Sequence, residues 1–249
     1  EIDLVKLCRF AGARFLIGSV YNVISKENLI LINDRGPLQY DIASLDIGVT
    51  SALVGERLTN LHAHSIRPLG NFVDKWRKYM ERLNKERITP QIVIIGGGIG
   101  AVEIAMAMCH SIRKLGILDY NISIVDKSEV LKNVRFSTRS LIMAALKKYS
   151  IAAHSNVRVV ECAENFVLLE NGHKIESNFT VVSAGATPYK WLSETDLNLK
   201  HGFVKVDQHL LVDRTTNFFA VGDCAHLSFS PRPKAGVFAV RQAPILFKN

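Results

Sequence analysis

What this sequence lacks narrows it quickly. Its 249 residues hold four cysteines, Cys8, Cys109, Cys162 and Cys224, and no two lie near each other. That spacing excludes a Cys-x-x-Cys redox pair within the segment, a zinc-type pairing and the framework of a small disulfide-stapled domain; no metal site is expected. Reduced thiols in a cytosolic-type compartment follow, and the start of the chain shows no signal-peptide pattern. No uninterrupted hydrophobic run is long enough for a membrane span. The most apolar stretch, Ile92 to Met108, is broken by four glycines and by Glu103, which suits a strand, a tight turn and a helix. A nucleic-acid signature is missing too. The net charge is +8, but the densest basic run, KWRKYMERLNKER (75–87), is interleaved with Glu81 and Glu86 and reads as a solvated amphipathic helix. His62, His64 and His110 have no recognisable catalytic partner and read as structural or solvated.

What is present is ordinary globular material, 48% hydrophobic and 22% charged, with length for one large domain or two ordinary ones. Two stretches echo each other. Residues 12–48 and 151–185 each contain a β-rich run, a polar turn, a second β run (LILIND, FVLLEN), a Gly-containing turn and a last strand ending in Gly48 or Gly185. Short helical patterns precede both, LVKLCRFA (4–11) and RSLIMAALKKYS (139–150). In the second copy a βαβ element with a glycine loop comes first. The first copy is expected to have its own loop upstream of Glu1. A spacer from about Thr50 to Pro90, including the basic helix, joins the copies.

The glycine loop satisfies G-x-G-x-x-A with Gly96, Gly98 and Ala101, after the strand QIVII and before the helix AVEIAMAMCHSIRK. Gly96 permits the tight turn and Gly98 lets the backbone approach a pyrophosphate. Ala101 allows close helix–strand packing, and the helix N-terminus offers N–H groups to phosphate. The stretch NISIVDK (121–127) supplies Asp126, thirty residues after Gly96, an acid placed to accept hydrogen bonds from a ribose 2′-hydroxyl. That favours NADH; Lys127 and Lys132 nearby leave NADPH open.

This constellation resembles the FAD-dependent pyridine nucleotide oxidoreductases, flavoproteins with two dinucleotide-binding domains. GGGIGAVEIA (96–105) is similar to the family's NAD(P)H loop, including Gly100 and the glutamate Glu103. SLDIG (44–48) and VVSAGATP (181–188) sit where the family has its two strand-and-glycine crossovers, ending in Gly48 and Gly185. FFAVGDCA (218–225) looks like the late FAD motif, with Gly222 and Asp223 as flavin contacts. RPKAGVFAVRQAPIL (232–246) looks like the helix that follows it. The likeness is nearest to type II NADH dehydrogenase-like proteins. More narrowly, YDIASLDIG and PKAGVFAVRQAPIL resemble the NADH dehydrogenase-like domain fused to selenide, water dikinase.

The resemblance implies an α/β fold of two Rossmann-like, three-layer ββα domains. The NAD(P)H domain (88–188) would be inserted into a truncated FAD domain (1–70 and 190–249). It implies FAD and NADH as cofactors and a flavin-dependent NAD(P)H dehydrogenase, with hydride passing to flavin and electrons to a quinone or another small acceptor. Glu103 would lie near the nicotinamide, or else be a buried packing residue. Gln242 would lie near quinone and flavin, or be an ordinary helix residue. Cys224 reads as a small buried side chain. The implied setting is cytoplasmic, without a transmembrane span, with room for peripheral membrane contact and for a homodimer. The alternative is a regulatory NADH-binding module without turnover. A plain one-domain Rossmann dehydrogenase accounts for neither the repeat nor the Gly-Asp motif.

Overall fold

A computed structural model describes residues 2–51, 62–67, 69–183 and 185–249; part of the expected spacer (52–61, 68) and position 184 of the second crossover lie outside them. The chain divides into two compact units, one formed by residues 1–48 and 188–249, the other by Val49–Thr187. The sequence placed residues up to 70 with the first unit and the second unit's start at 88. The difference has a simple cause. The tripeptide Ala63–Ser65 carries no hydrophobic pattern, yet it pairs in parallel with Phe179–Val182, and hydrogen bonding rather than composition assigns it.

The first unit opens with α1 (Leu4–Phe10), which is N-capped by the Asp3 carboxylate and buries none of its residues. The strands β1 (Val20–Ile24), β2 (Leu29–Ile32) and β3 (Leu38–Gln39) form an antiparallel meander, and β4 (Ala43–Leu45) follows.

The second unit contains β5 (Thr50–Ser51), β6 (Ala63–Ser65), α2 (Leu69–Glu86), β7 (Gln91–Ile95), α3 (Ile99–Lys114), β8 (Asn121–Val125), α4 (Phe136–Lys148) and β9 (Ile151–His154). It continues through the meander β10 (Val159–Cys162), β11 (Phe166–Leu169) and β12 (Lys174–Glu176) to β13 (Phe179–Val182) and β14 (Ala186–Thr187). Five strands make a parallel sheet in the order β6-β13-β7-β8-β9. Its alternation is readable in burial. Ile92, Ile94, Ile122, Ile124 and Val181 pack against α2, α3 and α4, whereas Val93, Ile95, Val125 and Val182 pack against the meander residues Val159, Val167 and Leu169. Helices, parallel sheet and meander are the three layers expected from the sequence, and a strand covered on both faces reads as a continuous β-branched run. Each of Ile92–Ile95 is nearly fully buried, worth roughly 1.5–3 kcal/mol per side chain. That exceeds any single cap or exposed ion pair, so the loop leaving β7 stands on a rigid base.

The basic helix α2 is amphipathic, burying Phe72, Tyr79 and Leu83 and leaving its cations in water, as its sequence implied. On α3 the buried residues Ala101, Val102, Ala105, Met108, Cys109 and Ile112 form the single stripe expected of a helix laid on a sheet.

The return segment of the first unit adds β15 (Leu199–Lys200), β16 (Phe203–Val206), β17 (Phe218–Ala220), β18 (Ala225–Leu227) and α5 (Gly236–Lys248). β17 lies parallel to β4, so residues separated by the whole second unit become neighbours. The Asp196 carboxylate accepts the Ser25 and Lys26 amides, and the Asn217 amide donates to Asn28 and to the Asp41 carbonyl, fastening the two segments together. Among the described residues no helix is long and apolar enough to cross a membrane.

Candidate functional site

At the carboxyl edge of the parallel sheet the backbone continues from strand to strand. Asp126 N–H donates to the His154 carbonyl, Gly96 N–H to Val125, Ser183 N–H to Ile95, and Ile66 N–H to Val182. Ligands of open α/β sheets bind at this edge. Gly96 leaves β7 with φ of 115°, a conformation that L side chains rarely adopt. Gly97 is constrained by contact instead. A Cβ there would lie 2.8 Å from Asp126 Cβ and 3.1 Å from Val130 Cα. Gly98 caps α3, and the amides of Ala101 and Val102 return to its carbonyl. Ala101 is 1% exposed, as helix–strand packing requires.

Gly98 and Gly100 differ from Gly97 in having nothing within 4 Å of an added Cβ. They face a cleft of about 340 Å³ that also involves Arg67, Glu103, Ser183 and Gly185. Gly100, Glu103 and Ile104, three and four residues apart, share the helix face that lines it. Glu103 is exposed there, which sets aside a buried packing role. Bare backbone, a helix N-terminus and open space together fit a pyrophosphate.

Asp126 builds the loop as well as facing it. Its carboxylate accepts the Gly97 amide at 2.5 Å and both the amide and hydroxyl of Ser128 at 2.7 Å. A carboxylate has about four acceptor sites, so three donors leave one for a ribose hydroxyl. Lys127 and Lys132 are exposed.

The first unit brings a second group of residues to the carboxyl ends of β4 and β17. Val221 N–H donates to the Leu45 carbonyl, and Gly222 follows with φ of 69°. A side chain at Gly222 would strike the Asp46 carboxylate. The Gly222 amide donates to Gln242 Oε1 at 2.6 Å, and Gln242 is 5% exposed. Gln242 thus holds the Gly-Asp turn, with its carbonyl oxygen committed; the sequence had no means of showing that engagement. Partial desolvation and the neighbouring Asp223 carboxylate push the Asp46 carboxyl above its ordinary value. Lys234 donates to the Ala225 carbonyl at 2.5 Å, and its ammonium stands 4.0 Å from the Phe203 ring centroid. Burial lowers its pKa, against the opposing pull of Asp223 and Cys224. Cys224 is fully buried, its thiol raised to about 11 chiefly by burial, in keeping with the packing role read from the sequence. A pocket of about 90 Å³ is lined by Gly222, Asp223, Lys234 and Gln242 among others. Glycine-only geometry against a carboxylate, with a desolvated cation beside it, fits a polar ligand reaching this turn.

The two crossover glycines, Gly48 and Gly185, have φ of 65° and 68°. Sequence reasoning passed over Arg67, Gly97, Asp46 and Lys234. Asp46 and Lys234 stood inside quoted motifs, whereas Arg67 lay in a spacer without pattern. His110 is exposed, and His64 stacks on Phe179 with ring centroids 4.7 Å apart. Among the described residues no group of three or more His, Cys, Asp or Glu could hold a metal ion.

The chain is 21% identical over 216 residues to the NADH dehydrogenase-like protein YutJ of Bacillus subtilis, covering 86% of this chain and 58% of that protein. It is 26% identical over 140 residues to the rubredoxin-NAD(+) reductase of Pseudomonas putida, covering 54% of this chain and 34% of that one. The chain therefore spans little more than half the length, or less, of these relatives. In fold it is similar to the reduced CoADR-RHD of Bacillus anthracis, with a TM-score of 0.80 at 17% identity over 98% of this chain and 45% of that one. It is similar also to the ferredoxin reductase for the CYP199A2 system of Rhodopseudomonas palustris, with a TM-score of 0.77 at 20% identity over 96% of this chain and 58% of that one. The pyridine nucleotide-disulphide oxidoreductase pattern matches residues 63–243, and the chain belongs to that family.

Proposed function

We propose that this chain is part of an FAD-dependent NAD(P)H dehydrogenase that passes electrons to a quinone or another small acceptor. One observation carries the reading: a glycine loop with open backbone at Gly98 and Gly100, at a helix N-terminus, beside an acid at the end of the adjacent strand. In that reading Gly98 and Gly100 admit the pyrophosphate of NADH, Asp126 accepts the adenosine ribose, and Glu103 lines the nicotinamide half. Gly222 and Asp223, with Gly48 two residues after Asp46, serve FAD, and Gln242 keeps the Gly222 amide in place. When bound, the two cofactors supply hydride transfer, so the protein's work is binding and orientation rather than strong acid or base chemistry. The domain roles follow: residues 49–187 take the nicotinamide nucleotide, and the discontinuous unit takes the flavin.

The charge of Asp126 disfavours a 2′-phosphate, which supports NADH over NADPH. The commitment of Gln242 Oε1 to the Gly222 amide weakens the quinone assignment that rested on that residue. The narrower sequence likeness to the domain fused to selenide, water dikinase supports an acceptor of selenium or sulfur chemistry as a second candidate. Mixing purified protein extended upstream of Glu1 with FAD and then NADH tests the reading. Bleaching of the flavin's visible band is expected. Absence of NADH binding refutes the proposal, whereas NADH binding without bleaching selects the regulatory module.

A further inference from the structure

The meander of the second unit leaves one of its sides open. Its strand order is β10-β11-β12, so β12 is an edge, and among the described residues no strand pairs with its outer side. The ladder fixes which groups point there. The His173 carbonyl accepts the Leu169 amide and the Ser177 amide donates to the Asn165 carbonyl, both at 2.9 Å, so bonding toward β11 falls on positions 173, 175 and 177. The amides and carbonyls of Lys174 and Glu176 therefore face outward, two residues or about 6.8 Å apart. Edge strands are often blunted by a charged side chain lying across them. Here the Lys174 ammonium stands 4.5 Å from the Phe166 ring centroid, over β11 and away from the edge.

Beyond that edge lies a slot of about 320 Å³ with a polar floor. The floor is the meander-side face of the parallel sheet. Val93 on β7 is packed under the meander, and its neighbours across the ladder, Ser123 on β8 and Ala152 on β9, continue that face. Gln91 and Asn121 line the amino end of the slot, Ser123, 8% exposed, its middle, and His154 its carboxyl end. Burial, and after it the neighbouring His173, hold the His154 pKa below the ordinary histidine value. From Asn121 to the level of Val125 and His154 the floor runs about 13 Å, the length of a short strand. The slot shares no residue with the glycine-loop cleft, so it stands independently of any cofactor.

Two outward N–H and C=O pairs at the repeat of a strand, beside a polar floor, match an extended backbone; a compact molecule reaches one pair but not both. We propose that the outer edge of β12 binds an extended peptide as a fourth, antiparallel strand of the meander, and that this peptide carries an acidic side chain beside His154 and His173. The peptide residues opposite Lys174 and Glu176 each exchange two backbone hydrogen bonds with them. The residue between those two faces Ser123. The one opposite His173 faces both imidazoles, and each ring has an N–H to give a carboxylate. The chain's net charge of +8 favours an acidic partner over a basic one.

The experiment titrates the isotope-labelled full chain with the peptide acetyl-Ser-Thr-Ser-Thr-Glu-amide and follows amide chemical shifts and hydrogen exchange. The Lys174 and Glu176 amides are expected to shift and gain protection, whereas that of Ile175, already bonded to β11, changes little. The same peptide N-methylated at both threonines has lost the paired donors and is expected not to bind. A glutamine in place of its glutamate is expected to weaken it severalfold. Glu176→Pro removes an amide that the fold leaves unused, as edge strands tolerate, and is expected to weaken the peptide about tenfold or more without lowering the melting temperature. Equal binding of the N-methylated peptide, or no change at the Lys174 and Glu176 amides, overturns the proposal, and both are read on the unaltered chain whether or not the proline variant folds. Free glutamate giving the same shifts assigns the slot to a small anion, and protection that rises with protein concentration alone assigns the edge to a second copy; either result also overturns it.

Discussion

Adjacent glycines of one loop answer to different physical demands, and substituting each with alanine separates them. At Gly97 the new methyl group would sit 2.8 Å from Asp126 Cβ and 3.1 Å from both Val130 Cα and Cγ2. Neither neighbour yields easily. Asp126 is held by Ser128, and the Gly97 carbonyl accepts the Leu131 amide at 2.7 Å. Overpacking costs about 1–3 kcal/mol, and displacing the Gly97 amide from the Asp126 carboxylate costs about 1.5–3 kcal/mol more. Gly97→Ala is therefore expected to lose about 3–5 kcal/mol, a fall of roughly 6–20 °C in the melting temperature of a domain of this size. At Gly98 the backbone is extended, with φ of −76° and ψ of 174°, and nothing lies within 4 Å of the added methyl. Its cost as a helix cap is under about 1 kcal/mol. The methyl would instead fill the space where a pyrophosphate approaches, so Gly98→Ala is expected to melt like wild type and lose NADH affinity. Thermal denaturation and NADH titration of both variants are the assays. A Gly98→Ala protein as unstable as Gly97→Ala, or one that is stable and binds NADH normally, refutes the division of labour.

Other expectations follow from the same contacts. Asp126→Asn should relax the preference for NADH over NADPH by about tenfold, because it removes the negative charge facing a 2′-phosphate; competition titrations with the two nucleotides report it. Gln242→Leu should cost about 1–3 kcal/mol in denaturant unfolding, since it leaves the buried Gly222 amide without its acceptor, whereas Gln242→Glu retains the oxygen and should cost less. Thiol labelling of the native protein near neutral pH should modify Cys8 alone, because Cys109, Cys162 and Cys224 are buried and burial raises the last two thiols to about 11; rapid labelling of Cys224 contradicts its packing role. Burial, with Lys75 nearby, holds His64 below the ordinary histidine value of 6.5. The folded state then binds fewer protons than the unfolded chain, so His64 lowers stability as pH falls through 6.5 toward its folded value. Unfolding midpoints across that range should show the slope, and His64→Phe should reduce it.

Much of the second unit was legible because local pattern and tertiary position coincide there. Ile92–Ile95 are β-branched throughout since both faces of their sheet are covered, and Gly96, Gly98 and Ala101 are required by the turn itself. The repeated meander showed as two polar turns between short β runs, and it formed at both places. Less was legible where partners are remote. Nothing in AHS announces an edge strand; its role comes from backbone hydrogen bonds to β13, more than a hundred residues later. Gln242 stood in a helix pattern that could not reveal its bond to Gly222, twenty residues earlier.

By itself the sequence determined the layers, the glycine loop and the acid at the end of the next strand, because periodicity and turn chemistry act over a few residues. Only the tertiary structure decided which strand lies beside which. That order put Asp46 against Gly222 and brought Arg67 to the glycine-loop cleft. The physical reason is that hydrogen bonding between strands joins distant segments without leaving a mark on the composition of either.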